Sequence, residues 1–275
     1  MPTRGVVSHM SDTRIRILVP SSERKHRGGT RAFTFSEAQD ERHWNRYPSL
    51  SRPRREAVGA FMSAINGQGH AREVLRLEGE RLEEARRVNL SFKRGALMPA
   101  FERERGPLFS TLEPSRLDEA KRRLLQEELV IVCPLLGLLS PSDMVPEYRC
   151  PVGAQIPGWR SLHHHWKPTV GPILDRLCRG RRVFSFLPAR LRALWTPRMS
   201  QEVVTVQFAT RKPDGGLRAS NAGAGRLAGA MIKSLIVDRQ IDPADLQDWI
   251  SPAGHRYSAV HSDHREGSWK LVYVK

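Results

Sequence analysis

An unbroken apolar pentapeptide, Leu129-Val130-Ile131-Val132-Cys133, runs through Pro134 into Leu135-Leu136-Gly137-Leu138-Leu139 and then into a stiff polar loop. No other segment constrains the fold as tightly. The pentapeptide reads as a strand. In the loop, Pro141 fixes φ and lacks a donor, Asp143 is placed to bond nearby backbone amides, and Pro146 forces its predecessor to be extended. The exit reads Pro146-Glu147-Tyr148-Arg149. One rigid segment therefore holds an Asp, a Tyr and an Arg at set positions, which is a good place for a site.

Strands and helices alternate along the rest of the chain. Residues 14–19, 182–187, 203–209 and 267–274 have the apolar or alternating pattern of strands. Lys212-Pro213-Asp214-Gly215-Gly216 is a hairpin turn, so residues 217–220 should return antiparallel. Helical patterns cover residues 54–65, 70–88, 116–128 (with Ser115 as cap), 170–178, 188–195 and 223–237, and Asp242-Pro243 marks a further helix start. The fold class expected is α/β (α+β), a mixed β-sheet flanked by helices. Residues 13–275 are read as one domain behind a polar tail of residues 1–12. Asn66-Gly67-Gln68-Gly69 between two helices outlines a helix-hairpin-helix, which presents turn amides to DNA phosphates. Two packed helices joined by glycines would give the same outline.

Charge narrows the partners. The net charge is +16, and 37 of the 45 basic residues are Arg. A GC-rich genome would account for Arg over Lys, but not for the excess of bases over acids. Guanidinium forks grip phosphate in pairs of hydrogen bonds, so the composition suits a polyanion such as double-stranded DNA or another phosphate-bearing ligand. Residues 20–29 form a basic loop after the first strand, closed by Gly28-Gly29 and carrying Lys25, His26 and Arg27. It lacks the glycine spacing of a nucleotide-triphosphate loop. The candidate anion-binding residues are Lys25, Arg27, Lys93, Arg94, Arg149, Arg226 and Lys233.

Other chemistries find less support. Cys133, Cys150 and Cys178 have no metal-ligand or disulfide spacing and read as free thiols in a reducing compartment. His163-His164-His165 are consecutive, so their side chains diverge and no metal is expected there. No cofactor motif is present. The N-terminus lacks the apolar core of a signal peptide and no apolar run is long enough to span a membrane, so a cytoplasmic protein is expected.

Gly137, Pro141, Asp143, Tyr148, Arg149 and Gly153 match the central signature of the YaaA family of peroxide-stress proteins, which the chain resembles. The likeness extends over most of the chain: Pro20-Ser21-Ser22-Glu23-Arg24-Lys25 keeps the lysine of the family's opening segment, residues 105–109 sit where the family has Tyr-Thr-Gly, and Trp166 matches its tryptophan. Ser140 replaces the signature arginine, Val152 a methionine, and Arg24 a glycine; residues 184–191 lack the family's serine, glutamate and tyrosine, and only Gly229 survives of Lys-x-x-Arg-Gly. The resemblance implies a cytoplasmic DNA-binding protein with a helix-hairpin-helix that protects against peroxide by limiting free iron. No iron ligand set appears in the sequence. The alternative is an enzyme on a phosphate- or carboxylate-bearing small molecule, with Lys25, Asp143, Tyr148 and Arg149 as acid/base and anion-clamp groups around one cleft.

Overall fold

The structure, a computed structural model, describes residues 14–32, 46–113, 116–219 and 223–275. The proposed tail at residues 1–12, the proposed cap Ser115 and the hairpin end Ser220 lie outside them. The first six strands are β1 (Ile15–Pro20), β2 (Thr30–Ala32), β3 (Ala96–Pro99), β4 (Leu129–Cys133), β5 (Gly137–Leu139) and β6 (Met144–Val145). The others are β7 (Arg182–Ser185), β8 (Val203–Arg211), β9 (Leu217–Ala219), β10 (Arg256–Tyr257), β11 (Asp263–Arg265) and β12 (Ser268–Val274). The helices are α1 (Ser51–Asn66), α2 (Gln68–Leu75), α3 (Gly79–Leu90), α4 (Ala100–Arg103), α5 (Pro107–Leu112), α6 (Glu119–Glu128), α7 (Leu162–Cys178), α8 (Ala189–Arg192) and α9 (Ala224–Val237).

The main sheet runs β10-β12-β8-β7-β1-β4-β5, with β11 on β12 and β9 on β8. Its five inner strands, β4, β1, β7, β8 and β12, are parallel. Antiparallel strands β5, β9, β10 and β11 are added around them. Every residue of β4 and all but the last of β1 are buried, because parallel strands at the centre of a sheet are covered on both faces; β4 accordingly reads as a continuous apolar run, whereas β1 carries the buried Arg16. Helices α6 and α7 both pack on β1. A small second sheet, β2-β3-β6, joins the basic loop to the signature loop. The expected mixed sheet is thus present, and the four internal strands read from the sequence all lie in it.

Strand order fixes where a ligand can enter. From β1 the chain crosses to β4 on one side, and from β7 it crosses to β8 on the other. The carboxyl ends of β1 and β7 therefore lie beside a point where the winding direction switches, and that is where open α/β sheets form a crevice.

Several helices differ from expectation. The turn at residues 66–69 shrinks to the single residue Gly67, which ends α1 and begins α2, so the helix-hairpin-helix outline is not confirmed there. The second helix of that outline is instead broken, because Arg76 adopts a left-handed conformation (φ 53°) between α2 and α3. Helix α7 begins eight residues earlier than residue 170, capped by Ser161, and contains both Pro168 and Pro172. It fans the three histidines apart: His164 is exposed, while His165 is buried with Nε2 2.8 Å from the Pro53 carbonyl. Helix α6 is capped by Asp118, whose carboxylate accepts from the Lys121 amide at 2.8 Å. The start at Asp242-Pro243 leads only to a 3-10 turn, Asp245–Asp248. Among the described residues, no helix is long and apolar enough to cross a membrane.

Small residues let α9 lie against α5. A Cβ at Gly229 would stand 2.6 Å from the Leu108 carbonyl oxygen and 2.8 Å from the Thr111 Cβ, whereas one at Gly59 in α1 would meet nothing within 4 Å. Helix propensity favours Ala over Gly by about 1 kcal/mol, and overpacking costs about 1–3 kcal/mol. Urea unfolding should therefore show Gly229→Ala destabilised and Gly59→Ala neutral or stabilised; equal effects at the two sites would contradict this packing.

Candidate anion site at the carboxyl ends of the strands

The loop after β1 is held by a buried ion pair. Lys25 Nζ lies 3.1 Å from Glu104 Oε2, and the two side chains are 1% and 0% exposed. Lys25 also donates to the Ser22 carbonyl, and the Ser22 amide donates to the Glu104 carboxylate. Glu104 Oε1 is buried without a partner. Burial pushes the Glu104 carboxyl up, opposed by Lys25 and the Ser22 amide. The backbone follows the same pairing: the His26 amide donates to the Arg103 carbonyl at 2.8 Å and the Arg105 amide to the Arg24 carbonyl at 3.1 Å. Arg103, itself fully buried, fastens the loop from below by donating to the carbonyls of Val145, His26, Gly28 and Ala96.

Lys25 and Tyr148 come together as expected. Lys25 Nζ sits 4.5 Å from the centroid of the Tyr148 ring, a cation–π contact inside the protein. The Tyr148 hydroxyl hydrogen-bonds the Cys133 thiol at 3.1 Å, and burial raises the phenol's pKa well above its usual value. The three cysteines are free and buried. Arg149 adjoins this cluster but points its fork at Glu23, at 3.0 Å from Nε and 2.8 Å from Nη2. Its backbone is clamped by the buried Asn89, which accepts from the Arg149 amide at 2.8 Å and donates to its carbonyl at 2.9 Å. Lys25, Arg27, Tyr148 and Arg149 line one cleft of about 300 Å³, together with Arg24, Arg81 and Arg105. Arg27 is ion-paired to Glu84 across it.

Asp143 stands apart from that cleft. Its carboxylate accepts from the Ser140 amide at 2.8 Å, and its own amide donates back to the Ser140 carbonyl at 3.1 Å, closing the turn. Burial pushes its pKa up to about 6, against the pull of Arg54, the Ser140 amide and Arg46. Lys93 and Arg94 are exposed on a 3-10 turn, Phe92–Arg94, and do not line the cleft. Lys233 pairs with Glu113 at 3.6 Å.

A second cavity, about 700 Å³, opens at the carboxyl end of β1 and shares Arg24 and Arg105 with the cleft. Its basic lining is Arg24, His26, Arg105 and Arg226. Among the described residues, no side-chain hydrogen bond or ion pair engages Arg24, Arg105 or Arg226. Elsewhere on the surface, arginines such as Arg52, Arg116 and Arg123 each have a glutamate partner. Arg226 lies in the first turn of α9, where unpaired backbone amides add to the positive potential. Gly106 allows the walls to close, since a Cβ there would be 2.5 Å from the Ser22 Oγ. Glu23, which pairs with Arg149, also lines the cavity, so among the described residues the three arginines are its cationic groups without a carboxylate partner.

Of these three, only Arg226 was legible as a site residue. Arg24 and Arg105 carry no local signal beyond charge, and they meet only because Lys25 and Glu104, between and beside them in sequence, pair across 79 positions.

The raised Asp143 pKa gives a pH test. Unfolded, the group titrates near 3.8, so the folded state binds the proton more tightly and stability falls as pH rises from about 4 to 6. Relative to Asp143→Asn, the parent should lose on the order of 2–3 kcal/mol across that window. A parent-minus-variant difference that stays flat with pH would contradict the assignment.

Comparison with known proteins identifies the family. A family model described as Peroxide stress protein YaaA matches residues 15–261. A UPF0246 protein of Streptomyces coelicolor is 30% identical over 184 residues, 66% of this chain and 68% of that one. UPF0246 proteins of Flavobacterium johnsoniae and Rhizorhabdus wittichii are 28% and 27% identical, over 56% and 64% of this chain and 62% and 71% of theirs. The matched range takes in every strand but β11 and β12, and the chain belongs to the YaaA family of peroxide stress proteins.

Proposed function

We propose that this protein binds double-stranded DNA in the cytoplasm, with little sequence preference, as its part in the family's response to peroxide. Phosphates would seat at Arg24, Arg105 and Arg226, and the neighbouring phosphates would follow the adjoining cleft past Arg81 and Arg149. One observation carries this reading: three guanidiniums without carboxylate partners face one cavity. Backbone phosphates carry no base sequence, so recognition through them is indifferent to sequence. Among the described residues no group of three or more His, Cys, Asp or Glu could hold a metal ion, so an iron-limiting role would be an indirect consequence of binding DNA. The enzyme reading draws less support, because Lys25 and Tyr148 are engaged by Glu104 and Cys133 in the interior.

Salt titration tests the proposal. Each phosphate contact contributes about 0.9 to the slope of log affinity against log salt. Replacing Arg24, Arg105 and Arg226 by Ala together should reduce the parent's slope by roughly 2–3. The same replacement of the glutamate-paired Arg52, Arg116 and Arg123 should leave it near the parent's. Equal losses from both triples, or an affinity insensitive to salt, would overturn the reading.

A further inference from the structure

Beside the arginine cavity lies a larger trough of about 790 Å³, and the two share Pro20, Leu108 and Gly225 as a common wall. The trough begins at the carboxyl end of β1 and runs past Phe186 and Leu187, just beyond β7, to Val206 and Phe208 on β8. Its lining is mainly apolar. Polar groups are spaced along it, among them Gln207 and Lys270, whose side chains have no hydrogen-bond partner among the described residues. Val260 stands at its lip, 90% exposed.

The two cavities differ in chemistry as well as in size. The two cavities adjoin along that shared wall, so a phosphate held by the three arginines would have its substituent directed toward the trough. That substituent must have an apolar body of small-molecule size, since such sites span about 300–1,000 Å³. It must also have a polar edge within reach of an amide that both donates and accepts, as Gln207 does. A sugar alone offers only small C–H faces bordered by hydroxyls, and a long lipid chain would not use the amide. A nucleobase has both properties, and the trough lies at the switch point where open α/β sheets take nucleotides.

We propose that the trough receives the base of a nucleoside monophosphate unit whose phosphate sits on Arg24, Arg105 and Arg226. The unit is either a free nucleotide or one nucleotide unstacked from a DNA strand. This rests on the phosphate site of the preceding subsection and adds a base site to it.

Calorimetry with deoxynucleoside 5′-monophosphates and with deoxyribose 5-phosphate separates base from phosphate. Duplexes with one unpaired nucleotide, with an abasic residue at the same place, or fully paired extend the comparison to DNA. The base-bearing member of at least one pair should bind about tenfold more tightly than its baseless counterpart. Ala189→Leu, at an exposed position lining the trough, should lower that ratio at least threefold while thermal melting shows the variant folded. Preference among the small molecules identifies a free nucleotide as the source, and preference confined to the duplexes identifies a strand nucleotide. Equal binding with and without the base in both sets would overturn the base site, even if paired duplex binds well. Base-dependent nucleotide binding without any duplex binding would instead uphold the base site and sink the DNA reading alone.

Discussion

The geometry of the site hangs on the ion pair between Lys25 and Glu104. Both charges are out of water, at 3.1 Å, and each is flanked in sequence by arginine: Arg24 before the lysine, Arg103 and Arg105 around the glutamate. The two residues meet as an isolated antiparallel bridge. The paired side chains are buried, and their neighbours Arg24 and Arg105 line the same cavity. A buried ion pair stabilises little compared with an apolar pair of the same size, but breaking it leaves a charge stranded in the interior. Such a pair therefore specifies which two segments meet, and here the meeting assembles a cationic surface.

Not every arginine in this basic chain serves a partner. Arg54 and Arg103 are fully buried and spend their donors on backbone carbonyls, Arg54 on those of Leu136 and Leu138 and Arg103 on four around the basic loop. Some of those carbonyls belong to short strands, Leu138 on β5, Ala96 on β3 and Val145 on β6, and the others to the loops beside them. At the opposite end of β1, Arg16 and Arg181 converge on Glu128. The cationic excess is thus divided between internal fastening and a surface open to anions.

The sequence makes the sheet legible because its inner strands are apolar or alternating, and β4, apolar throughout, is bounded to the residue at 129–133. The hairpin was equally clear: Lys212 and Gly216 close it through a 2.7 Å bond, and β9 returns antiparallel from Leu217. Helix α7 was not, because Pro168 reads as a break, whereas the fully buried Trp166 bonded to the Pro134 carbonyl at 2.8 Å holds that helix to the signature loop. Their spacing on one loop groups Asp143, Tyr148 and Arg149 together. Only the last two join Lys25 at the cleft, since the Asp143 side chain turns back onto Ser140. Glu104 had no signature of its own. Its importance comes from a partner 79 residues away and from complete burial, neither of which a local pattern encodes.

The most direct test of this account is the stability of Lys25→Met, Glu104→Leu and the double variant in urea. If the pair locks the loop, each single variant should lose about 3–5 kcal/mol by stranding a buried charge, and the double variant should recover most of that loss. Single variants that each cost no more than the ~1 kcal/mol of a surface pair, with no recovery in the double, would contradict it.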